Sequence, residues 1–317
     1  MPANKIRLGA SACLLGEPVR YDGSHKHDRY LTDILGAYVE FVPVCPEVEC
    51  GMGIPRESMH LEGDPENPRL ITTRTRRDLT EQMVRWAQKR LEELKGENLC
   101  GFVFKSNSPS SGMERVKIFD TKGMPRKIGV GIFAGLFMKA FPRLPVEEEG
   151  RLHDAVLREN FVERIFHFKR WKEHLEGGRS LGRLVDFHTD HKLLYMAHSP
   201  KHYRALGKLV AEGRKMDLRE LYDAYEGLMT EALKLKATAA KNANVLYHLM
   251  GYFKKQLTAD EKAELREIIE AYRKGLYPLI VPITLINHFV RKYDQPYLKR
   301  QVYLNPHPVE LKLRNHA

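Results

Sequence analysis

The feature that most constrains the fold is a change of pattern near residues 145–150, where a proline and three glutamates follow an apolar segment. Before this point, short strand-like runs alternate with helix-like runs. The strand-like runs are residues 6–8, 38–45, 102–104 and 116–119, and the helix-like runs are residues 78–94 and 129–141. This alternation predicts an α/β domain with a Rossmann-like layered sheet, which we place at residues 1–148.

After the change, helical periodicity takes over. Residues 151–175 form one amphipathic segment, which Gly177 and Gly178 end. Pro278 and Pro282 interrupt a later apolar stretch that can restart as a helix. Further helices are predicted at residues 184–197, 200–211, 217–235, 239–254 and 259–272. We therefore expect residues 149–317 to form an all-α domain.

Positive charge is concentrated in the second half. Residues 1–150 carry 22 Lys/Arg against 21 Asp/Glu, whereas residues 151–317 carry 30 against 20. An excess of this kind fits a polyanionic partner such as nucleic acid, although a basic solvated surface would have the same composition. The basic and aromatic clusters in this half make the following residues the candidate RNA contacts: Lys201, His202, Arg204, Lys254 and Lys255.

All four cysteines lie in the first hundred residues: Cys13, Cys45, Cys50 and Cys100. None forms a CxxC pair, so a zinc ribbon is not indicated. Burial, metal ligation and nucleophilic roles all stay open. The sequence has no apolar run of about 18 residues and no signal-peptide pattern, so we expect a cytoplasmic protein with no membrane partner.

Four polar clusters follow predicted strands, where α/β folds place ligands. They are SACLLG with VRYDG at residues 11–23, VCPE at 44–47, GMGIPR at 51–56 and KSNSPSSG at 105–112. A carboxylate such as Glu47 can act as a general acid or base, and the serine-rich loop can bind an anion. Ordinary turns explain each cluster equally well when it is taken alone. No GxGxxG or GxxxxGKS/T motif is present, so a nucleotide-binding fingerprint is missing.

Taken together and in this order, these motifs resemble the thiouracil desulfidase family (TudS). The second half looks like the helical domain of RudS-type proteins, in the stretches HTDHKLLYMAHSPKHY, NANVLYHLMGYFKK and QVYLNPHPVELKLRN. The resemblance implies a [4Fe-4S] cluster held by three cysteines, with one iron left open for the sulfur of the base. It places Cys13 and Cys45 at the first two ligand positions and Glu47 at the catalytic acid/base. Ser108 then contacts the reacting base, with Ser106 and Ser110 as rivals.

The sequence departs from the family at the third ligand. The family pattern reads SPSCG, whereas Ser111 stands here in place of the cysteine. Either the chain is a ligand-deficient variant, or Cys50 or Cys100 supplies the third thiolate. Cys100 precedes a predicted strand of about four residues, roughly 13 Å long, so it should lie at the opposite end from the loop that follows. We favour the ligand-deficient variant.

The sequence therefore predicts an enzyme that removes sulfur from 2-thiouridine-type bases in thiolated tRNA, with the chemistry in the first domain and the RNA on the second. A splayed-out base would be needed to reach a recessed site. Two alternatives stay open: an RNA-binding protein without chemistry, and a desulfidase for free thiouracils. No protein partner is implied.

Overall fold

The computed structural model describes residues 5–120 and 122–316. The chain forms two compact units, Met1–Phe161 and Val162–Ala317. Among the described residues of the first unit, the strands are β1 (Ile6–Ser11), β2 (Val39–Val44), β3 (Met59–Glu62), β4 (Arg69–Thr72), β5 (Gly101–Phe104), β6 (Val116–Phe119), β7 (Pro125–Gly129) and β8 (Val146–Glu148), and the helices are α1 (Pro46–Glu49), α2 (Thr80–Gly96) and α3 (Ile132–Ala140).

The strands form two sheets. The first is fully parallel, in the order β2-β1-β5-β8, and the second is mixed, in the order β4-β3-β6-β7. Strand β5 is buried along its whole length, as expected of a parallel strand inside a layered domain. Because all four strands of the first sheet run the same way, their carboxyl ends meet at one edge, and the site is built there.

Aromatic packing holds the first sheet against helix α3. Phe102 and Phe104 of β5 contact Phe133 and Phe137 of α3, with ring centroids 4.7–6.3 Å apart. Gly9 lies opposite Phe102 in the β1–β5 pairing, and a Cβ atom there would come within 2.2 Å of the Phe102 ring. A side chain larger than hydrogen at position 9 would therefore displace the phenylalanine cluster.

The second half is helical. Its described helices are α4 (Ala155–Glu176), which crosses the division between the units, α5 (Leu181–His198), α6 (Pro200–Glu212), α7 (Leu218–Lys234), α8 (Ala239–Gly251), α9 (Ala259–Arg273), α10 (Ile280–Lys292) and α11 (Pro296–Lys299). Ser180, Ser199, Asp217, Thr238 and Thr258 each accept a hydrogen bond from an amide in the first turn of the helix that follows, which explains where these helices begin. The prediction of an α/β domain followed by a helical domain is confirmed.

The core of the helical unit contains large aromatic side chains. Trp171, Tyr195, Tyr225, Tyr303 and Phe253 are all essentially inaccessible to solvent. Over residues 5–120 and 122–316, no helix has both the length and the apolar character needed to cross a bilayer.

Candidate active site

A cavity of about 410 Å³ opens at the carboxyl ends of β1, β2 and β5. This volume lies within the range of small-molecule sites. Each strand contributes the residues that directly follow it: Cys13 after β1, Cys45 after β2, and the loop from Lys105 to Ser111 after β5. The polar clusters predicted from the sequence therefore line one cavity.

The two cysteine side chains on the cavity wall are buried and free of disulfides. Burial raises the pKa of Cys13 to about 11 and that of Cys45 to about 12, and the Glu47 carboxylate adds to both shifts. Both groups are therefore thiols at neutral pH, and a metal that binds them must displace their protons.

Glu47 stands at the centre of the polar contacts. Its Oε1 accepts a hydrogen bond from the Ser110 hydroxyl at 2.5 Å, and its Oε2 lies 3.6 Å from the Cys45 thiol, which donates to it. The Arg56 guanidinium approaches the same carboxylate at 3.8 Å. These contacts fix both oxygens of one carboxylate on the cavity wall, which is the placement that a general base needs.

The three rival serines have different positions. Ser108 and Ser106 line the cavity, whereas Ser110 is fully buried and lies outside its lining. The hydroxyls of Ser108 and Ser110 are 3.0 Å apart, so Ser110 connects Ser108 to Glu47. Ser106 donates to Glu149 Oε1 at 2.8 Å and also accepts from Lys105 at 3.1 Å. Of the three, Ser108 is best placed to contact a molecule in the cavity.

Ser111 also lines the cavity and is only 3% exposed. Its amide donates to the Ser108 hydroxyl oxygen at 3.1 Å, and its own hydroxyl lies 3.4 Å from that of Ser110. Position 111 therefore lines the same cavity as Cys13 and Cys45.

Helix α3 holds this loop through backbone contacts. The amides of Gly131, Ile132 and Ala134 donate to the carbonyls of Gly112, Pro109 and Ser110 at 2.8–3.1 Å. A Cβ atom on Gly131 would lie 2.5 Å from the carbonyl group of Ser110. Glycine at 131 thus permits the close approach that positions the loop.

Neither of the other cysteines lines the cavity. The Cys50 thiol donates to the Glu47 carbonyl at 3.3 Å, and Cys50 packs beside the core of the second sheet. Cys100 precedes β5, and its amide donates to the carbonyl of Arg7 near the beginning of β1. Cys100 therefore lies at the amino end of the sheet, the opposite end from the cavity.

Tyr21, Arg56 and Lys105 also line the cavity. They lie in motifs that were identified from the sequence, but no role was predicted for them. Tyr21 is 44% exposed beside the Arg20 guanidinium, and the Arg56 amide donates to the Tyr21 carbonyl at 2.8 Å. Lys105 forms an ion pair with Glu149. The basic and aromatic residues within VRYDG, GMGIPR and KSNSPSSG could have indicated that these side chains line the site.

The donor set at the cavity is two thiols and one hydroxyl. Thiolates are the ligands that iron–sulfur clusters use, whereas a neutral serine hydroxyl is a poor iron ligand beside them. Cys13 and Cys45 thus fit a cluster, and Ser111 fits it poorly. Over residues 5–120 and 122–316, no group of three His, Cys, Asp or Glu side chains is arranged to hold a metal ion.

The candidate RNA contacts lie on the helical unit. Lys201 and Arg204 are exposed on α6, whereas His202 is half-buried and its Nδ1 lies 2.8 Å from the Ser199 hydroxyl at the beginning of that helix. Lys254 and Lys255 are exposed in the turn after α8. The structure places these residues in two clusters, and a further groove, described below, lies beside the first.

Two family models match the chain. The model described as 2-thiouracil desulfurase matches residues 8–149, and the model described as protein of unknown function (DUF1722) matches residues 192–308. Residues 8–149 belong to the 2-thiouracil desulfurase family, and the helical half contains a DUF1722 region. The resemblance found in the sequence motifs is confirmed.

Particular relatives can also be given. Uncharacterized protein YbgA of Escherichia coli (strain K12) is 33% identical over 166 residues, which cover 52% of this chain and 95% of that protein. A solved structure of the [4Fe-4S]-dependent thiouracil desulfidase TudS is 30% identical, with a TM-score of 0.39, and the match covers 47% of this chain and 95% of that one.

Proposed function

We propose that this chain removes sulfur from 2-thiouridine-type bases in tRNA and converts the thiouracil ring to uracil. One observation carries the proposal: Cys13, Cys45, Glu47, Ser108 and Ser111 line one cavity in a domain of the 2-thiouracil desulfurase family. The net reaction replaces the ring sulfur by the oxygen of water and releases hydrogen sulfide. Its atoms balance without an oxidant or a reductant.

Glu47 would act as the general base. Its carboxylate takes a proton from the attacking water and returns it to the departing sulfur, a task for which its two fixed oxygens are suited. Ser108 would contact the reacting base, and its hydroxyl connects through Ser110 to Glu47. Ser110 is thus a positioning residue, because it touches the carboxylate from behind the cavity wall.

Cys13 and Cys45 would hold a [4Fe-4S] cluster, with position 111 as the third attachment point. When bound, such a cluster supplies an open iron with high affinity for sulfur, which makes sulfide a better leaving group. Because serine at 111 supplies no thiolate, we expect this chain to retain the cluster poorly.

The helical half supports tRNA as the substrate. It carries the excess of positive charge, and a free thiouracil would not need it. We also propose a cytoplasmic location, with neither a membrane nor a protein partner.

Ser111 favours a second candidate, an RNA-binding protein without chemistry. A third, a desulfidase for free thiouracils, differs from the first in its substrate. Turnover of thiolated tRNA compared with turnover of free 2- and 4-thiouracil separates the first candidate from the third.

Anoxic iron–sulfide reconstitution of this chain beside its Ser111→Cys variant tests the proposal. We expect about four irons per chain and cluster absorbance in the variant, and substantially less of both in the unaltered chain. The reconstituted variant should then release sulfide from thiolated tRNA. Equal loading of both forms would show that another residue is the third ligand, with Cys50 the first to substitute. Loading of neither form would contradict the iron–sulfur mechanism.

A further inference from the structure

A groove with a volume of about 1140 Å³ runs along the helical unit between α5 and α6. Its floor includes His188, whose Nδ1 lies 3.2 Å from the Tyr225 hydroxyl, and Gly207, whose lack of a side chain leaves the groove open beside His188. Lys192 and Arg204 stand on its two sides, from α5 and α6 respectively. The groove thus combines room for a ligand with one cation on each wall, while Asp186 on the α5 wall lies 3.9 Å from the Arg300 guanidinium.

Positive charge continues beyond the groove along the exposed face of α6. Lys201, Arg204 and Lys208 are spaced three and four residues apart, so they lie on one side of the helix, and Arg214 follows at the groove end. All four are exposed, and none forms an ion pair with any described residue. Like charges at this spacing repel one another and weaken the helix slightly. A polyanion bound along this face would remove that repulsion.

Two stacked tyrosines connect the groove to the second basic cluster. The Lys192 ammonium lies 5.2 Å from the Tyr297 ring centroid, and the Tyr297 ring stacks on Tyr252 at 5.0 Å with an angle of 19° between the planes. Tyr252 is nevertheless 45% exposed, and Lys254 and Lys255 follow it in the same turn. The two basic clusters, about fifty residues apart in the sequence, are thereby joined on one surface.

We propose that this surface is the RNA-binding site of the helical domain. We call it the basic–aromatic strip and define it by Lys192, Tyr203, Arg204, Arg214, Tyr252 and Tyr297. Lys192, Arg204 and Arg214 bind phosphates of an unpaired segment, and the exposed Tyr252 ring stacks against a base. The inference rests on the proposed function, because the RNA in question is the tRNA substrate.

The aromatic members favour RNA over other polyanions. Proteins that bind single-stranded nucleic acid combine a basic groove with aromatic rings on which bases stack. An acidic peptide or a polysaccharide has no base to place on Tyr252. Unpaired loop nucleotides are also the part of tRNA that side chains can reach most readily.

Binding of an unmodified tRNA transcript to the full-length chain tests the strip, measured over a range of salt concentrations. The Arg204→Glu/Arg214→Glu variant should weaken binding at least about tenfold. It should also reduce the steepness of the salt dependence, since each lost phosphate contact removes about 0.7 from the log–log slope for single strands. Tyr252→Ala should weaken binding about fivefold to a hundredfold, which corresponds to 1–3 kcal/mol per stacked base, with the salt slope unchanged.

The matched control is Arg266→Glu/Arg291→Glu, which reverses two exposed charges on α9 and α10 outside the strip. It should change tRNA affinity less than about threefold, as expected for charges that contact no phosphate. If the control and the Arg204→Glu/Arg214→Glu variant weakened tRNA binding equally, the proposal that the strip binds RNA would be wrong. The proposal would also be wrong if the chain bound heparin as tightly as tRNA and Tyr252→Ala left tRNA affinity unchanged.

Failure of the strip and failure of the chemistry are distinguishable. Each strip substitution is also made in the Ser111→Cys background, and sulfide release is measured there at saturating concentrations of thiolated tRNA. Normal release at saturation with weakened tRNA affinity supports the strip. Normal tRNA affinity in every strip variant contradicts the strip, whatever the sulfide release shows. Absence of sulfide release in the Ser111→Cys chain without strip substitutions contradicts only the proposed chemistry.

Discussion

Around the cavity of the first domain, two of the cationic side chains face buried or half-buried carboxylates. Arg56 lies 3.8 Å from Glu47, and Lys105 pairs with Glu149. On helix α6 of the second domain, Lys201 and Arg204 have no ion-pair partner among the described residues.

The difference indicates what each set of charges does. Cations that are paired beside a cavity fix the position of the carboxylates, and they have little charge left to attract a distant ligand. Unpaired cations on a surface do not fix the position of other side chains, but they are available to bind phosphates. Under the proposed function, the first domain uses these charges for positioning, and helix α6 of the second domain uses its charges to attract phosphates.

The largest effect should follow removal of the carboxylate that the first domain positions. In the reconstituted Ser111→Cys background, Glu47→Gln should lower sulfide release from thiolated tRNA about 10²- to 10⁴-fold, because a general base contributes rate factors of that size. Uracil formation and sulfide release are measured together.

Glu57 provides the control carboxylate for that experiment. It also lines the cavity, but its oxygens accept hydrogen bonds from the Thr75 amide and hydroxyl at 2.7–2.8 Å. Glu57→Gln should therefore lower turnover less than tenfold. Similar losses in both variants would show that the cavity needs negative charge in general and that Glu47 has no special role.

The second domain also has paired charges, both on its surface, such as Lys234 with Glu231, and in its interior. Glu163 accepts hydrogen bonds from Arg314 at 2.8 Å and from His198 at 3.1 Å, and all three side chains are at most 4% exposed. Glu163→Gln should lower the free energy of unfolding by about 3–5 kcal/mol, because it removes one charged partner of a buried arginine. Urea unfolding followed by helical circular dichroism measures the change.

The exposed Glu81–Arg85 pair on α2 supplies the comparison for Glu163. Its side chains are 92% and 77% exposed, so Glu81→Gln should change stability by less than about 1 kcal/mol. If Glu163→Gln changed it as little, the interior pairs of the second domain would contribute no more than surface pairs do.

The smallest effect concerns acid. The pKa of His191 is lowered from the usual 6.5 to about 3. Burial is the main cause, the hydrogen bond to the Phe187 carbonyl opposes it, and the nearby charges of Arg170, His174 and His188 add to the decrease. Between these two pH values, His191 binds a proton in the unfolded chain but not in the folded chain. The free energy of unfolding therefore falls as pH decreases from about 6.5 toward 3. Each pH unit in this window should cost about 1.4 kcal/mol for this histidine.

His191→Gln should flatten the decline of stability with pH by about that amount per pH unit. His288→Gln, at an exposed position of α10, should leave the slope unchanged. The measurement is the free energy of urea unfolding between pH 7 and pH 4. An unchanged slope in His191→Gln would show that other buried groups carry the acid sensitivity.

Periodicity predicted helices α5 to α9 well because each has buried apolar residues and a side-chain cap where it begins. The observed bounds of α6, Pro200–Glu212, differ by one residue from the predicted range of 200–211. Strands β7 and β8 escaped prediction for a physical reason. Four of the five residues of β7 are exposed, and β8 contains two glutamates in three residues, so neither shows an apolar pattern.

The site was predictable in its parts and not in its arrangement. Cys13, Cys45 and Ser108 could be placed on one edge because each follows a strand of a parallel sheet. The position of Ser110 behind Ser108 depends on the path of the loop backbone, which spacing does not determine. The stack of Tyr252 on Tyr297 joins residues 45 positions apart and depends on helix packing, so no local pattern could indicate it.

The backbone hydrogen bonds between helix α3 and the serine-rich loop also bear on how this domain can evolve. They hold Pro109, Ser110 and Gly112 through main-chain atoms, so they do not depend on the side chain at position 111. Serine and cysteine differ there by one atom, and some of their codons differ by one base. A lineage can thus gain or lose a thiol at this position in a single mutational step while the loop that presents it keeps its shape.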